Sequence, residues 1–227
     1  MSLALFDLDN TLLAGDSDHL WGEFLAVRGI VDGAHYRREN DRFLREYEAG
    51  SLDIHAFLRF SLDVLARHDP ADLRAWRREF IDAWIRPRIA RGAPDLVARH
   101  REAGDRLVII TATNRFVTEP IAELLGVDTL IATEPEWQAG RYTGEVTGTP
   151  CFREGKITRL EQWLASTSFN ASDPLSASTF YSDSHNDVPL LERVAHPVAV
   201  DPDPKLTATA QQRGWPVISL HDSHAPA

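Results

Sequence analysis

The chain contains one cysteine, Cys151, in 227 residues. No disulfide can close within it, so a reducing, cytoplasmic setting is expected. Long apolar runs are missing too. No stretch reaches the roughly 18 apolar residues of a membrane-spanning helix, so no span is expected. The N-terminus lacks a basic segment and its apolar start is broken by Asp7, so it does not read as a signal peptide. Positive charge is scarce: Lys and Arg total 24 against 34 Asp and Glu, a formal net charge of −10. With no basic excess to neutralise a polyanion, a nucleic-acid partner is not expected. A small anion held by local cations or a metal stays compatible. Cys151 lies between Pro150 and Phe152 with no His in its segment, and reads as a small apolar filler rather than a nucleophile.

What is present is an ordinary globular composition, 43% hydrophobic and 26% charged. The length suits one large domain, or a core with a smaller insert. LALF, residues 3–6, reads as a short buried strand. From about residue 16 to 86, apolar residues recur every three or four positions. The sets are Leu20, Phe24 and Val27; Phe43, Leu44 and Tyr47; Phe57, Leu58, Leu62 and Leu65; and Leu73, Trp76, Phe80, Ile81 and Trp84. These are amphipathic helices, broken at Gly50 and at Asp69-Pro70.

After Pro87 helices and strands alternate. RLVIIT reads as a strand ending at Thr111, TLIAT as another, EWQAGRYTGEV as a hairpin, and ASTFYSD, HPVAV and WPVISL as further strands. GKITRLEQWLAS and DVPLLERV read as helices between them. Such alternation is the signature of a parallel α/β sheet with helices on both faces. The expected fold is a Rossmann-like α/β core, residues 1–15 and 88–222, with an all-helical insert at 16–87 and a frayed tail at 223–227. An insert placed just after the first strand would sit over the carboxyl ends of the strands, where open α/β sheets bind ligands. It is a candidate lid.

The polar residues gather at that same edge. The first strand delivers Asp7 and Asp9, the second Thr111, Ala112, Thr113 and Asn114, and a later one Asp183 with Asp187 four residues on. An isolated Asp9-Asn10 pair could be a turn. Three or four carboxylates brought to one edge are a different matter, because unshielded carboxylates repel. A hard divalent cation bound through oxygens, such as Mg²⁺, resolves the repulsion. Lys156 can add a positive charge. With such a set a carboxylate can attack phosphorus, a second can move protons, and a hydroxyl and an ammonium can hold phosphate oxygens.

DLDNTLL, IITATN, Lys156 and SDSHND resemble, in order and approximate spacing, the four motifs of the haloacid dehalogenase superfamily of phosphatases. The resemblance covers the whole α/β part. The helical insert is similar to a type 1 cap of the phosphoserine-phosphatase-like branch, and DSDHLW resembles a bacterial subgroup that includes histidinol-phosphate phosphatases. The resemblance implies a Mg²⁺-dependent phosphomonoesterase acting on a small phosphorylated metabolite through an aspartyl-phosphate, with histidinol phosphate or phosphoserine as substrate. It implies that Asp7 is the nucleophile and Asp9 the general acid/base. Thr111, Ala112 and Lys156 would bind the phosphoryl group. Asp183 would ligate the metal beside Asp7 and the backbone carbonyl of Asp9, and Asp187 would act through water or by holding Lys156. Motif four begins with Ser182 where many relatives have Gly.

In the insert, Asp16 falls where relatives contact a substrate ammonium, and Arg59 where they hold a substrate carboxylate. His19 and Trp21 stand nearby. Asp16 could equally be a helix N-cap, Arg59 a solvated surface charge, and His19 and Trp21 packing residues. Phosphoryl transfer to an acceptor other than water, a lipid-phosphate substrate, and a non-catalytic Mg²⁺ or phosphate module remain alternatives at this point.

Overall fold

The computed structural model of the protein describes residues 2–167, 169 and 174–221. The tail expected at 223–227 lies outside the described residues. Strand β1, Leu3–Phe6, is buried throughout and sits mid-sheet. It pairs in parallel with β2, Arg106–Asn114, and with β5, Thr179–Ser182. Burial on both faces explains why LALF is uniformly apolar rather than alternating. Outward from β2 come β3, Thr129–Gln138, and the antiparallel β4, Arg141–Thr147. Outward from β5 come β6, His196–Val200, and β7, Val217–Ile218. The sheet order is β4-β3-β2-β1-β5-β6-β7, parallel except for β4.

The insert after β1 is helical: α1, Ser17–Val27; α2, Gly33–Ala49; α3, Ile54–Arg67; and α4, Pro70–Phe80. Each starts on an aspartate, at 16, 32, 53 and 69, whose carboxylate accepts backbone N–H bonds of its first turn. Such a cap stabilises a helix by about 1 kcal/mol. Helix α4 runs into a wider turn at Ile81–Ile85 and a tighter one at Arg86–Arg88. The remaining helices belong to the sheet: α5, Ala93–Glu102; α6, Arg115–Leu124; α7, Glu154–Ser166; α8, Val188–Leu191; and α9, Pro204–Arg213.

Two connections join insert and sheet, and they lie side by side. Leu13 pairs with Ile89, the Ala14 N–H donates to the Arg88 carbonyl at 2.7 Å, and the Ala90 N–H to that of Leu12 at 2.9 Å. Trp21, expected as packing or as a site residue, is a packing residue. It stacks on Phe24, meets Phe80 edge-on, and reaches Phe116 of α6 with ring centroids 5.9 Å apart.

A second attachment holds the far end of α2. Its last carbonyls accept from three groups on the sheet side: Tyr47 from Asn186 Nδ2 at 3.2 Å, Ala49 from Lys205 Nζ at 2.7 Å, and Gly50 from Arg153 at 2.5 Å. Two of these donors are cations at the negative end of a helix dipole. Gly50 closes α2 in the left-handed conformation, φ 75°, and a Cβ there would stand 2.8 Å from His185 Nε2. Only glycine fits.

Several boundaries differ from the sequence reading. β2 does not stop at Thr111 but continues to Asn114 through a register shift against β3. TLIAT and the hairpin's first arm form one strand, and WPVISL shortens to two residues. Val27, counted on an apolar face, is 62% exposed.

Candidate active site

The parallel register brings Asp7, Thr111 and Asp183 to one edge. Asp7 follows β1 directly and its N–H donates to the Tyr181 carbonyl of β5 at 2.9 Å. The Thr11 hydroxyl lies 3.4 Å from Asp7 Oδ2 and 3.2 Å from Asp183 Oδ1. One hydroxyl thus touches both carboxylates, and it also accepts from the Asp183 N–H at 3.0 Å. Asn10, at φ 55°, makes the turn that folds Thr11 back; asparagine tolerates that left-handed conformation better than most residues.

Lys156 enters from the first turn of α7. Gly155 makes this possible: a Cβ there would stand 2.1 Å from the Pro150 carbonyl oxygen. The buried ammonium donates to Asp7 Oδ1 at 2.7 Å and to Asp187 Oδ2 at 2.6 Å. Burial alone would favour the neutral amine, but the charges of Asp187 and Asp7 outweigh it and raise its pKa above the ordinary value. The Ser182 hydroxyl donates to the same Asp187 oxygen at 2.7 Å. Serine at the position where many relatives have glycine therefore steadies the acid that holds Lys156.

Asp9 turns the other way. Its carboxylate accepts from the Ser17 N–H at 2.7 Å and from the Thr113 hydroxyl at 2.8 Å, with the Thr111 hydroxyl at 3.4 Å. Burial, then the nearby Asp16 charge, lift its pKa to about 6. Asp7 rises to about 7, because burial and the charges of Asp187 and Asp9 outweigh Lys156. Asp183 is pushed well above the usual carboxylate range by burial and by Asp7 and Asp187. Such a cluster has a deficit of positive charge. Asp7 Oδ2 and Asp183 Oδ1 converge without an ammonium between them, and all the donors are oxygens. The set fits a hard divalent cation.

Above this edge a cavity of about 50 Å³ lies between sheet and insert, room for a few waters. Asp7, Asp9, Thr111, Ala112 and Thr113 form its floor. Asp16, Asp18 and His19 of the α1 start line it, with Asn40, Phe43 and Tyr47 of α2, Phe57 of α3, and Phe152. Asp16 is both the N-cap of α1, accepting from the His19 N–H at 2.9 Å, and part of this wall. His19 lines it too, with Nε2 3.8 Å from Asp41. Arg59 is a correction. It is exposed and lines a separate cavity with Asp32, His35 and Arg67. Phe57 takes the wall position on α3, and two residues further along a helix the side chain points to nearly the opposite side.

The sequence alone left the contacts of three residues unread. Thr11 and Thr113 stood within quoted motifs, but only the folded turn shows their hydroxyls on the carboxylates. Asp18 lay inside DSDHLW; it is 7% exposed, Asn114 Nδ2 approaches its Oδ1 at 3.4 Å, and its Oδ2 has no hydrogen-bond partner among the described residues. Its carboxyl is pushed well above the usual range by burial, then by the charges of Asp16 and Asp9.

Comparison with known proteins agrees with this geometry. The chain is 46% identical over 220 residues to a histidinol-phosphatase of Neisseria meningitidis serogroup C (strain 8013), covering 96% of this chain and 99% of that protein. It is 32% identical to a phosphoserine phosphatase of Mycobacterium tuberculosis, over 94% of this chain and 69% of that one. A solved protein of unknown function from Bordetella pertussis Tohama I superposes with a TM-score of 0.90 at 51% identity, covering 96% and 98% of the two chains. A phosphoserine phosphatase carrying a phospho-aspartyl intermediate analogue shares the fold, with a TM-score of 0.69 at 18% identity over 97% and 93% of the chains. The family model for haloacid dehalogenase-like hydrolases matches residues 4–192, from β1 through α8. With that match and these relatives beside the clustered acids, the chain belongs to the haloacid dehalogenase-like hydrolase family.

Proposed function

We propose that this phosphoric monoester hydrolase cleaves histidinol phosphate, with Asp7 as nucleophile and Asp9 as general acid/base. One observation carries the choice of substrate: among the described residues, no Arg or Lys lines the cavity above the acids. The carboxylate of phosphoserine would meet Asp16 and Asp18 there with no cation to balance it. An amino-alcohol phosphate has no carboxylate. Its ammonium suits Asp16, and an imidazole suits the walls of Phe43, Phe57 and Phe152. The 46%-identical relative points to the same ester.

Asp7 attacks phosphorus and the ester P–O bond breaks. Asp9 gives its proton to the departing oxygen; a pKa of about 6 leaves part of the population protonated near neutrality. The Asp9 carboxylate then takes a proton from water, which attacks phosphorus and frees Asp7 as a carboxylate. Thr111, the Ala112 backbone and Lys156 hold the phosphoryl oxygens, and Asp187 holds Lys156. Asp7, Asp183 and the Asp9 carbonyl would hold Mg²⁺, which when bound shields charge between the nucleophile and its anionic target. Residues 16–87 act as a cap on a core made of 1–15 and 88–222. The side-by-side connections at Leu13 and Ile89 form its hinge.

The test is phosphate release, with Mg²⁺ and with EDTA, over histidinol phosphate, phosphoserine, sugar phosphates, nucleotides and lysophosphatidate. Histidinol phosphate is expected to exceed phosphoserine in kcat/KM by at least about 100-fold, the scale of unpaired buried charge. Comparable values for the two would refute the substrate assignment.

Mg²⁺ occupancy has its own signature. Without the ion, folded Asp7 keeps its proton up to about pH 7, whereas the unfolded chain releases it near 3.8. Between those values the folded state binds more protons, so its stability falls as pH rises through the window. Binding of Mg²⁺ to the deprotonated cluster should offset that loss. The rise in Tm on adding Mg²⁺ is expected to be larger at pH 8 than at pH 5. Equal rises would remove Asp7 from the metal site.

A further inference from the structure

We infer that Asp18 is a second specificity residue, which accepts a hydrogen bond from a substrate nitrogen other than the ammonium that Asp16 takes. The inference rests on the amino-alcohol phosphate reading and deepens it.

Three features of Asp18 support this. Its carboxyl is more than nine-tenths buried and lines the cavity. Its Oδ1 is approached by Asn114 Nδ2, so one end is held by the end of β2. Its Oδ2 has no partner among the described residues. A buried acceptor without a donor costs about 1–3 kcal/mol, and native structures rarely leave one so unless something else fills the place. Among the described residues, no Lys or Arg lines the cavity, and His19, the one histidine of its lining, has its own Nδ1 buried and unpartnered. A ligand in the cavity can supply the donor.

Asp16 and Asp18 stand two residues apart at the start of α1, and both feel the acids of the floor, Asp16 the charge of Asp7 and Asp18 that of Asp9. Asp16 uses Oδ1 to cap α1 and takes the ammonium; Asp18, held at Oδ1 by Asn114, offers Oδ2 to a second substrate nitrogen. The cavity they line is shared with Asn40, Phe43 and Phe57. A planar, N–H-bearing ring between apolar aromatic walls, with one carboxylate oxygen at its edge, is the ligand chemistry this cavity takes. An ester carrying only an amine would leave Oδ2 unmatched, so the wall rejects short amines by omission as well as selecting the ring.

The experiment uses the Mg²⁺-loaded full chain and the near-isosteric Asp18→Asn, with Tm recorded to confirm folding. The readout is the ratio of kcat/KM for histidinol phosphate to that for O-phosphoethanolamine, which has the amine but no ring. Asp18→Asn is expected to lower this ratio about tenfold or more, the scale of one hydrogen bond to a charged group. A ratio within twofold of the parent's overturns the inference, because a purely structural acid would change both esters alike.

A second measurement separates this from failure of the substrate assignment. If the parent does not prefer histidinol phosphate, inhibition of p-nitrophenyl phosphate hydrolysis by histamine is compared with that by propylamine. Histamine binding more tightly than propylamine in the parent, with the advantage lost in Asp18→Asn, upholds the role of Asp18 for ring-bearing amines. Equal inhibition by both amines in the parent overturns it.

Discussion

Asp7→Asn is expected to lower phosphate release by on the order of 10⁴-fold or more, because it removes the proposed nucleophile. The substitution keeps the shape of the side chain. Its amide can still face Thr11 and Lys156, yet it cannot form the covalent bond. Its effect on stability should have the opposite sign. Asp7 is one of several buried acids whose charges raise one another's pKa, so neutralising it relieves repulsion. In EDTA the variant's Tm is expected to equal or exceed the parent's. The measurement pairs single-turnover phosphate release with a thermal melt. Activity within tenfold of the parent would sink the nucleophile assignment, and a large drop in Tm would mean that the acids are held by something other than mutual constraint.

Lys156→Met makes the reverse trade. The ammonium is 3% exposed and bridges Asp7 and Asp187 at 2.7 and 2.6 Å. Met fills most of the volume but leaves two buried carboxylates without their cation. Breaking such a pair costs about 3–5 kcal/mol, which in a chain of this size lowers Tm on the order of 10 °C. Asp7, already raised by burial and by the charges of Asp187 and Asp9, loses the ammonium that opposes that rise and holds its proton more tightly in the folded state than in the unfolded one. The deficit should therefore shrink toward pH 5 and widen toward pH 8. Melts in EDTA at both values check this, and a deficit independent of pH would mean that packing, not charge, is what Lys156 supplies. Activity should be lost as well, since the proposed ammonium partner of the phosphoryl group is gone.

Much of this site could be read from the chain because the carrier elements are short and stiff. Asp7 and Asp183 follow parallel strands and Thr111 lies toward the end of another, and parallel strands put their carboxyl ends together whatever the details of the loops. Lys156 was harder. It comes from a helix after a loop, and only its order among the motifs pointed to it; the close approach at Gly155 that aims it is a three-dimensional fact. The insert was legible as helices and poorly legible as a wall. On α3, Phe57 and Arg59 differ by two positions, which is enough to send one to the cavity and the other to solvent. Asp18 was hidden by a different ambiguity. Acids crowd the first turns of helices for reasons of capping and dipole, so DSD reads as a helix start until the burial of its second acid is known. The overrun of β2 to Asn114 shows the same limit, because TATN has ordinary turn composition and is held extended by its neighbour β3.

The attachment at the end of α2 has a chemical consequence. Lysine occurs twice in the chain, at 156 and 205. One is sealed in the acid cluster, protonated and paired twice. The other is exposed and holds the Ala49 carbonyl. Apart from the terminal amine, an acylating reagent therefore meets a single receptive nitrogen, and that nitrogen fastens the proposed cap to the core. Acylation would remove both its charge and its grip on the end of α2.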